Sequence, residues 1–216
     1  MRRTATLEAA ERVARHEFAQ FQHVRGEDGR ADCQDDWPTF RAMRVSQFLT
    51  WTPALLESYA ADVDAADVTG RNLVTEKYAR MMASVEPDRF ARDLAPHLPA
   101  LSSARVALQE RIIAAQVAWA RDFRGRFPRL GLGMRVLTTA EDTLADTSFE
   151  TYLRGELGTY STRTLRLYGE LVDALAAERV NLTELTVGHT VALAGFASLA
   201  AAEEAQAGQR SIPPGA

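Results

Sequence analysis

Apolar side chains return every three or four positions along most of this chain, with polar residues filling the intervals. Leu7, Ala10, Val13, Ala14, Phe18 and Phe21 keep that spacing, which predicts an amphipathic helix over about 5–24. Residues 26–30, Gly-Glu-Asp-Gly-Arg, read as a loop. In the polar stretch that follows, Asp36 is a candidate helix cap with Pro38 in the first turn, and its helix carries Phe40, Met43, Phe48 and Leu49. Thr52-Pro53 opens another helix through Leu55, Leu56, Tyr59 and Val63, ended by Gly70. Asn72 or Thr75 opens the next, through Tyr78, Met81 and Met82, and Pro87 interrupts it. A shorter helix is predicted over about 88–94.

The second half follows the same order. Ser102 or Ser103 caps a long helix to about Phe127, and Pro128, Gly131 and Gly133 mark a loop. Glu141-Asp142-Thr143 and Asp146-Thr147-Ser148 read as irregular, and a helix covers about 149–157. Ser161 caps the next helix, and Asn181 or Thr183 opens a last one to about 205. The end, 208–216, reads as a disordered tail. No stretch reads as a strand; at most 134–137 is extended. The expected fold is an all-α bundle of about 8–10 helices in one domain over 1–207.

The halves also match residue by residue. With Phe40 laid on Phe149, and no gap, Thr50-Trp51-Thr52 falls on Thr159-Tyr160-Ser161. Leu56 then falls on Leu165, Tyr59 on Tyr168 and Asn72-Leu73 on Asn181-Leu182. Upstream, Glu11-Arg12-Val13 resembles Glu110-Arg111-Ile112. Two pseudo-symmetric repeats are expected, about 7–100 and 101–205, with a ligand cleft between them onto which both acidic loops converge.

Composition narrows the function. The 216 residues carry a net charge of −4, which gives no reason to expect nucleic acid or an anionic membrane as partner. Met1-Arg2-Arg3-Thr4 leads into a charged segment, so no signal peptide is expected, and no apolar run is long enough to span a membrane. The expected compartment is the cytoplasm. Cys33 is the only cysteine, so no internal disulfide forms. Of the 25 Lys and Arg residues, Lys77 is the only lysine. In an Ala- and Arg-biased chain, a lone Lys either does what Arg cannot, changing protonation state or forming an imine, or is a chance survivor.

Three polar clusters are candidates for chemistry. The first is Gln34-Asp35-Asp36-Trp37 with Arg44 and Gln47. The second is Arg71-Asn72 with Glu76, Lys77 and Arg80, in which Glu76 and Arg80 are spaced to pair on one helix face. A Lys77 facing an apolar groove would have a depressed pKa and act as base or nucleophile. The third runs from Glu141 through Asp146, Ser148, Glu150, Tyr152 and Arg154 to Glu156; Asp146 or Ser148 is its candidate cap, and Glu150 and Arg154 its helical pair. No His or Cys pattern suggests a metal, although an all-carboxylate Mg²⁺ or Mn²⁺ site from Asp35, Asp36, Glu141 and Asp142 stays open.

The same residues carry a family resemblance. Cys33-Gln34-Asp35-Asp36-Trp37, Met43-Arg44-Val45-Ser46-Gln47-Phe48, Gly70-Arg71-Asn72-Leu73, Glu76-Lys77-Tyr78-Ala79-Arg80-Met81-Met82 and the run from Asp146 to Leu157 resemble the bacterial domain-of-unknown-function family 4125 over roughly 7–204. The resemblance implies that the three clusters are family hallmarks, and it implies no activity, cofactor or catalytic residue. The residues themselves favour an enzyme acting on a small polar metabolite, with specialised biosynthesis as its setting. Lys77 would be the base or imine-forming amine, with Asp36 and Glu150 as acid/base partners. Arg44, Arg71 and Arg154 would bind a carboxylate or phosphate, and Gln34, Asp35, Trp37, Asn72, Glu76, Arg80, Asp146 and Ser148 would complete the pocket. The alternative is a peptide- or protein-binding adaptor anchored by Trp37, Trp51 and Tyr160. A homodimer is compatible with either reading.

Overall fold

The computed structural model describes residues 2–25, 29–30 and 32–209. Among them every regular element is helical. In chain order the α-helices are α1 (Arg2–Phe21), α2 (Trp37–Phe48), α3 (Pro53–Val68), α4 (Leu73–Val85), α5 (Pro87–Arg89), α6 (Ser103–Arg126), α7 (Pro128–Leu132), α8 (Phe149–Leu157), α9 (Thr162–Ala177), α10 (Leu182–Leu193) and α11 (Leu199–Gln209), with short 3-10 turns at Asp32–Asp35, Ala95–His97 and Thr139–Glu141. A π-helical turn, Phe90–Leu94, extends α5.

The polar residues that precede the apolar runs act as caps. Asp36, Thr52, Asn72, Ser102, Ser148, Ser161 and Asn181 each accept a hydrogen bond from the backbone amide three residues on. Of the two candidates before α8, Ser148 is therefore the cap and Asp146 is not. A cap of this kind contributes on the order of 1 kcal/mol.

Two boundaries differ from expectation. The segment after Pro128 is a short helix, not a loop. Pro128 supplies the helical φ at its start, and the Glu203 carboxylate from α11 accepts the amides of Arg129 and Leu130, both at 2.8 Å. The single last helix expected from Asn181 is two helices. Gly195 adopts φ 89° at the end of α10, and Ser198 caps α11 through the Ala201 amide. That second helix runs through Gln209, so residues 208–209 of the expected tail are helical; residues 210–216, like 26–28 of the first loop, lie outside the described residues.

Packing brings α1 against α2, α3 and α4, and α6 against α8, α9 and α10. The two groups meet through α4 on α8, α2 on α10 and α3 on α9. Phe48, Trp51, Tyr59, Tyr160 and Tyr168 form the centre, with ring centroids 4.9–6.1 Å apart for pairs such as Phe48–Trp51 and Trp51–Tyr160. Trp51 and Tyr160 are therefore core residues, 5% and 2% exposed, and not surface anchors for a partner. At the α4–α8 crossing, Gly155 lies so close to α4 that a Cβ would sit 2.7 Å from the Lys77 carbonyl oxygen. This close approach is what brings Lys77 over α8.

Candidate functional site

A polar network is buried where α1, α2, α3, α4 and α8 converge. The Glu17 carboxylate of α1 is gripped in a two-pronged pair by Arg44 of α2, at 2.7 and 2.6 Å, and accepts the Tyr59 hydroxyl of α3 at 2.5 Å. The second carboxylate is Glu156 of α8. It accepts Arg44 Nη1 at 3.0 Å, Gln47 Nε2 at 3.1 Å, Lys77 Nζ at 2.8 Å and the Tyr160 hydroxyl at 2.8 Å. The Lys77 ammonium also lies 3.5 Å from the centre of the Tyr152 ring. Helical spacing explains the convergence. Tyr152 and Glu156 are one turn apart on α8, and Arg44 and Gln47 share a face of α2.

Two carboxylates face two cations, so the network is neutral as a set. Burial alone would raise the pKa of Glu156, but Arg44 and Lys77 outweigh it and hold the group far below the ordinary carboxylate range. Burial alone would lower the pKa of Lys77, but the Glu156 carboxylate, with Tyr152 and Tyr78 adding to it, outweighs burial and raises it. This corrects the expectation of a depressed lysine: Lys77 rests as an ammonium and is not a free amine. Burial, reinforced by Glu17, pushes the Tyr59 hydroxyl well above its usual pKa. A cavity of about 20 Å³ borders the network, room for one water. It is too small for a metabolite.

A larger cleft, of about 300 Å³, lies next to it. Leu73 and Thr159 line both. Its walls come from α3 (Asp62), the start of α4, the segment from Pro99 to Arg105, and the turn from Gly158 to Thr162 that enters α9. Arg71 lines it while holding Glu76 through Nε and Nη2, at 2.7 and 2.8 Å. Arg105 lines it and donates to the carbonyls of Leu157 and Tyr160. Asp62 accepts the Ser161 amide at 2.8 Å.

The predicted site residues divide among several places. Arg44 and Lys77 join the buried network, and Arg71 lines the cleft. Arg80 does not pair with Glu76 in a hydrogen bond; it donates to the Pro99 carbonyl at 2.7 Å, at the edge of the cleft, while Glu76 pairs with Arg71. Asn72 caps α4 and donates to the Gln20 carbonyl. Gln34 is buried and donates to the Phe21 and Val24 carbonyls. Asp35 pairs with Arg30, Asp36 caps α2, and Trp37 packs edge-on against Phe18. Glu150 pairs with Arg154 as expected, and Arg154 is also held by Glu110 at 2.7 and 2.8 Å. Asp142 accepts the Ser148 amide at 2.6 Å, and the Asp146 carbonyl accepts the Thr143 amide.

The expected catalytic trio of Lys77, Asp36 and Glu150 is thus not assembled, and neither acidic loop lines the cleft. Asp35, Asp36, Glu141 and Asp142 do not form a metal cluster; among the described residues no three His, Cys, Asp or Glu side chains gather to hold an ion. Glu17, Tyr59, Asp62 and Arg105 were not anticipated. Glu17 had a signal, since it falls on the apolar stripe of α1 between Val13, Ala14 and Phe21.

The chain belongs to the family described as Protein of unknown function (DUF4125), whose model matches residues 8–204. The match covers every element described above except the first turns of α1 and the end of α11. No curated protein and no solved structure matches the chain. Among the described residues, no helix is long and apolar enough to cross a membrane.

Proposed function

We propose that this protein is an enzyme acting on a small polar metabolite, and that the metabolite sits in the cleft beside α9. The observation that carries this reading is the cleft itself. Its volume of about 300 Å³ is at the lower end of small-molecule sites, and charged groups line it beside apolar ones. Asp62 is the one carboxylate among its lining residues, so an acid/base step falls to Asp62 in place of Asp36 and Glu150. Lys77 serves from behind the wall, as part of the network that fixes Tyr160 and the turn after α8.

The reading includes a duplicated chain, with the cleft where the two units abut. Several pairs of features support this. Helices α3 and α9 have 16 residues each, after the caps Thr52 and Ser161. Asn72 donates to the Gln20 carbonyl of α1, and Asn181 donates to the Trp119 carbonyl of α6. Tyr59 donates to Glu17, and Tyr168 donates to Gln116. The packing of α4 on α8 is answered by α10 on α2.

A thermal-shift screen tests the reading, with amino acids, keto acids, sugars and nucleotides as probes and an Ala100→Trp variant, which fills the cleft, beside the wild type. A ligand at 100 times its dissociation constant stabilises by about 2.7 kcal/mol. Hits lost in Ala100→Trp support the cleft; hits that survive it place the ligand elsewhere and sink the reading. For any hit that is turned over, Asp62→Asn is expected to keep binding and lose turnover.

A further inference from the structure

We propose that the cleft receives an oxyanion, the phosphate or carboxylate group of the metabolite, between the guanidinium groups of Arg71, Arg80 and Arg105. The inference deepens the cleft reading above and rests on it.

Two carboxylates stand near these three cations, and both are engaged. Glu76 is taken by Arg71 through two hydrogen bonds. Asp62 is engaged by the Ser161 amide. Arg80 and Arg105 have no carboxylate within salt-bridge distance among the described residues. Among the described residues their hydrogen bonds run to carbonyl oxygens only: Arg80 to Pro99, and Arg105 to Leu157, Gly158 and Tyr160. The Nε atom of each is buried and has no hydrogen-bond partner. Both side chains are half-buried, and a partly desolvated guanidinium with no carboxylate hydrogen-bonded to it is costly. Burial lowers the pKa of both; Glu76 at Arg80 and Asp62 at Arg105 offset part of this, and the neighbouring Arg105 and Arg71 lower that of Arg80 further.

Position adds to charge. Arg71 and Arg105 line the cleft; Arg80 does not, but it touches Pro99 and Gly158, which do, so its guanidinium stands at the cleft's edge. Thr162, the first residue of the 16-residue α9, lines it too, so the positive end of a long helix faces the ligand. An oxyanion would offset the excess charge and accept the donors that carbonyls leave over. Arg44 and Arg154, also expected to bind an anion, are each already held by carboxylates and do not line the cleft.

The test is a titration of the whole chain with inorganic phosphate and, separately, acetate, against chloride at matched ionic strength, read by calorimetry and thermal shift. Saturable stabilisation by phosphate or acetate beyond chloride is expected, and the stronger of the two identifies the group. Losing one charge-assisted contact should weaken binding by about 10-fold or more in Arg80→Gln and in Arg105→Gln. Arg105 also anchors three carbonyls, so Arg80→Gln is the deciding variant if Arg105→Gln does not fold. Arg166→Gln, which removes an exposed pair with Glu170, should leave binding unchanged. The proposal is overturned if neither anion exceeds chloride, or if Arg80→Gln binds as the wild type does. Neutral hits lost in Ala100→Trp, alongside silence from both anions, would overturn the anion alone and leave the cleft reading standing.

Discussion

Replacing Glu156 by Gln isolates what the buried network contributes. The substitution keeps the shape and removes one negative charge. Arg44 and Lys77 then face Glu17 alone, and the network carries an uncompensated positive charge. The amide can still accept one or two of the four hydrogen bonds that the carboxylate takes, but its own NH₂ points at donors. Breaking a buried pair by removing one partner costs about 3–5 kcal/mol. For a chain of this size, that lowers the melting temperature by roughly 10 °C. The companion change is Lys77→Met. Alone it leaves Glu156 with Arg44 and a surplus negative charge; combined with Glu156→Gln it restores neutrality, since Arg44 still balances Glu17. The double variant should therefore be more stable than Glu156→Gln alone. Urea denaturation of the four proteins measures this. A Glu156→Gln loss below about 1 kcal/mol would refute the reasoning, as would a double variant less stable than either single one, because both follow from charge imbalance in a dry site.

Two further outcomes follow from the same contacts. Glu156 has its pKa held low in the folded chain, so its contribution is present above the unfolded carboxylate value of about 4.3 and is lost as pH falls below it. Stability measured from pH 7 down to pH 2 should fall more steeply for the wild type than for Glu156→Gln, and parallel curves would reject the assignment. Gly155→Ala should cost about 1–3 kcal/mol, because its Cβ would meet the Lys77 carbonyl at 2.7 Å and the Met81 Cγ at 2.9 Å, and a helix backbone cannot step aside as a side-chain tip can. A neutral result in thermal unfolding would mean that α4 and α8 are free to separate.

Local signals in the sequence carried the helices well. Each cap works through contacts within four residues, so Asp36, Thr52 and Ser161 were legible from spacing alone, and Asn72 and Asn181 each stood as one of two candidates. The errors arose where a distant residue decided. Helix α7 exists because Glu203, far along the chain, supplies the acceptor for its first amides. Glu76 and Arg80 have the spacing of a helical pair, but Arg71 lies just before the α4 cap and folds back to Glu76, while the Pro99 carbonyl draws Arg80 away. The polar loops looked like sites because they are dense in acids and hydroxyls. Their groups are spent on capping: Asp142 on Ser148, Glu141 on Thr138, Asp36 on Thr39. The network carries the opposite signature, a charged residue inside an apolar stripe, as at Glu17, Arg44 and Glu156.

Under the proposed duplication, the network also shows where the two units have diverged. The offset that lays Phe40 on Phe149 lays Gln47 on Glu156, and these two side chains are bonded to each other. The residue on which the four donors converge thus meets its own counterpart, as expected of positions near a pseudo-two-fold axis. Away from that contact the symmetry fails in one direction. Arg44 corresponds to Leu153, Lys77 to Thr186, and Glu17 (matched through Glu11 and Glu110) to Gln116. One side therefore keeps two cations and a carboxylate, while the other keeps only the neutral pair of Tyr168 and Gln116. Charges at the Glu17, Arg44 and Lys77 positions are not needed to hold two similar units together, because their neutral counterparts Gln116, Leu153 and Thr186 stand on the other side. Their cost in desolvation makes sense if they hold something in a set position. The Tyr160 hydroxyl ties Glu156 to the turn from Gly158 to Thr162, and that turn is a wall of the cleft. On this argument the buried charges orient the site from behind and do not themselves meet the ligand.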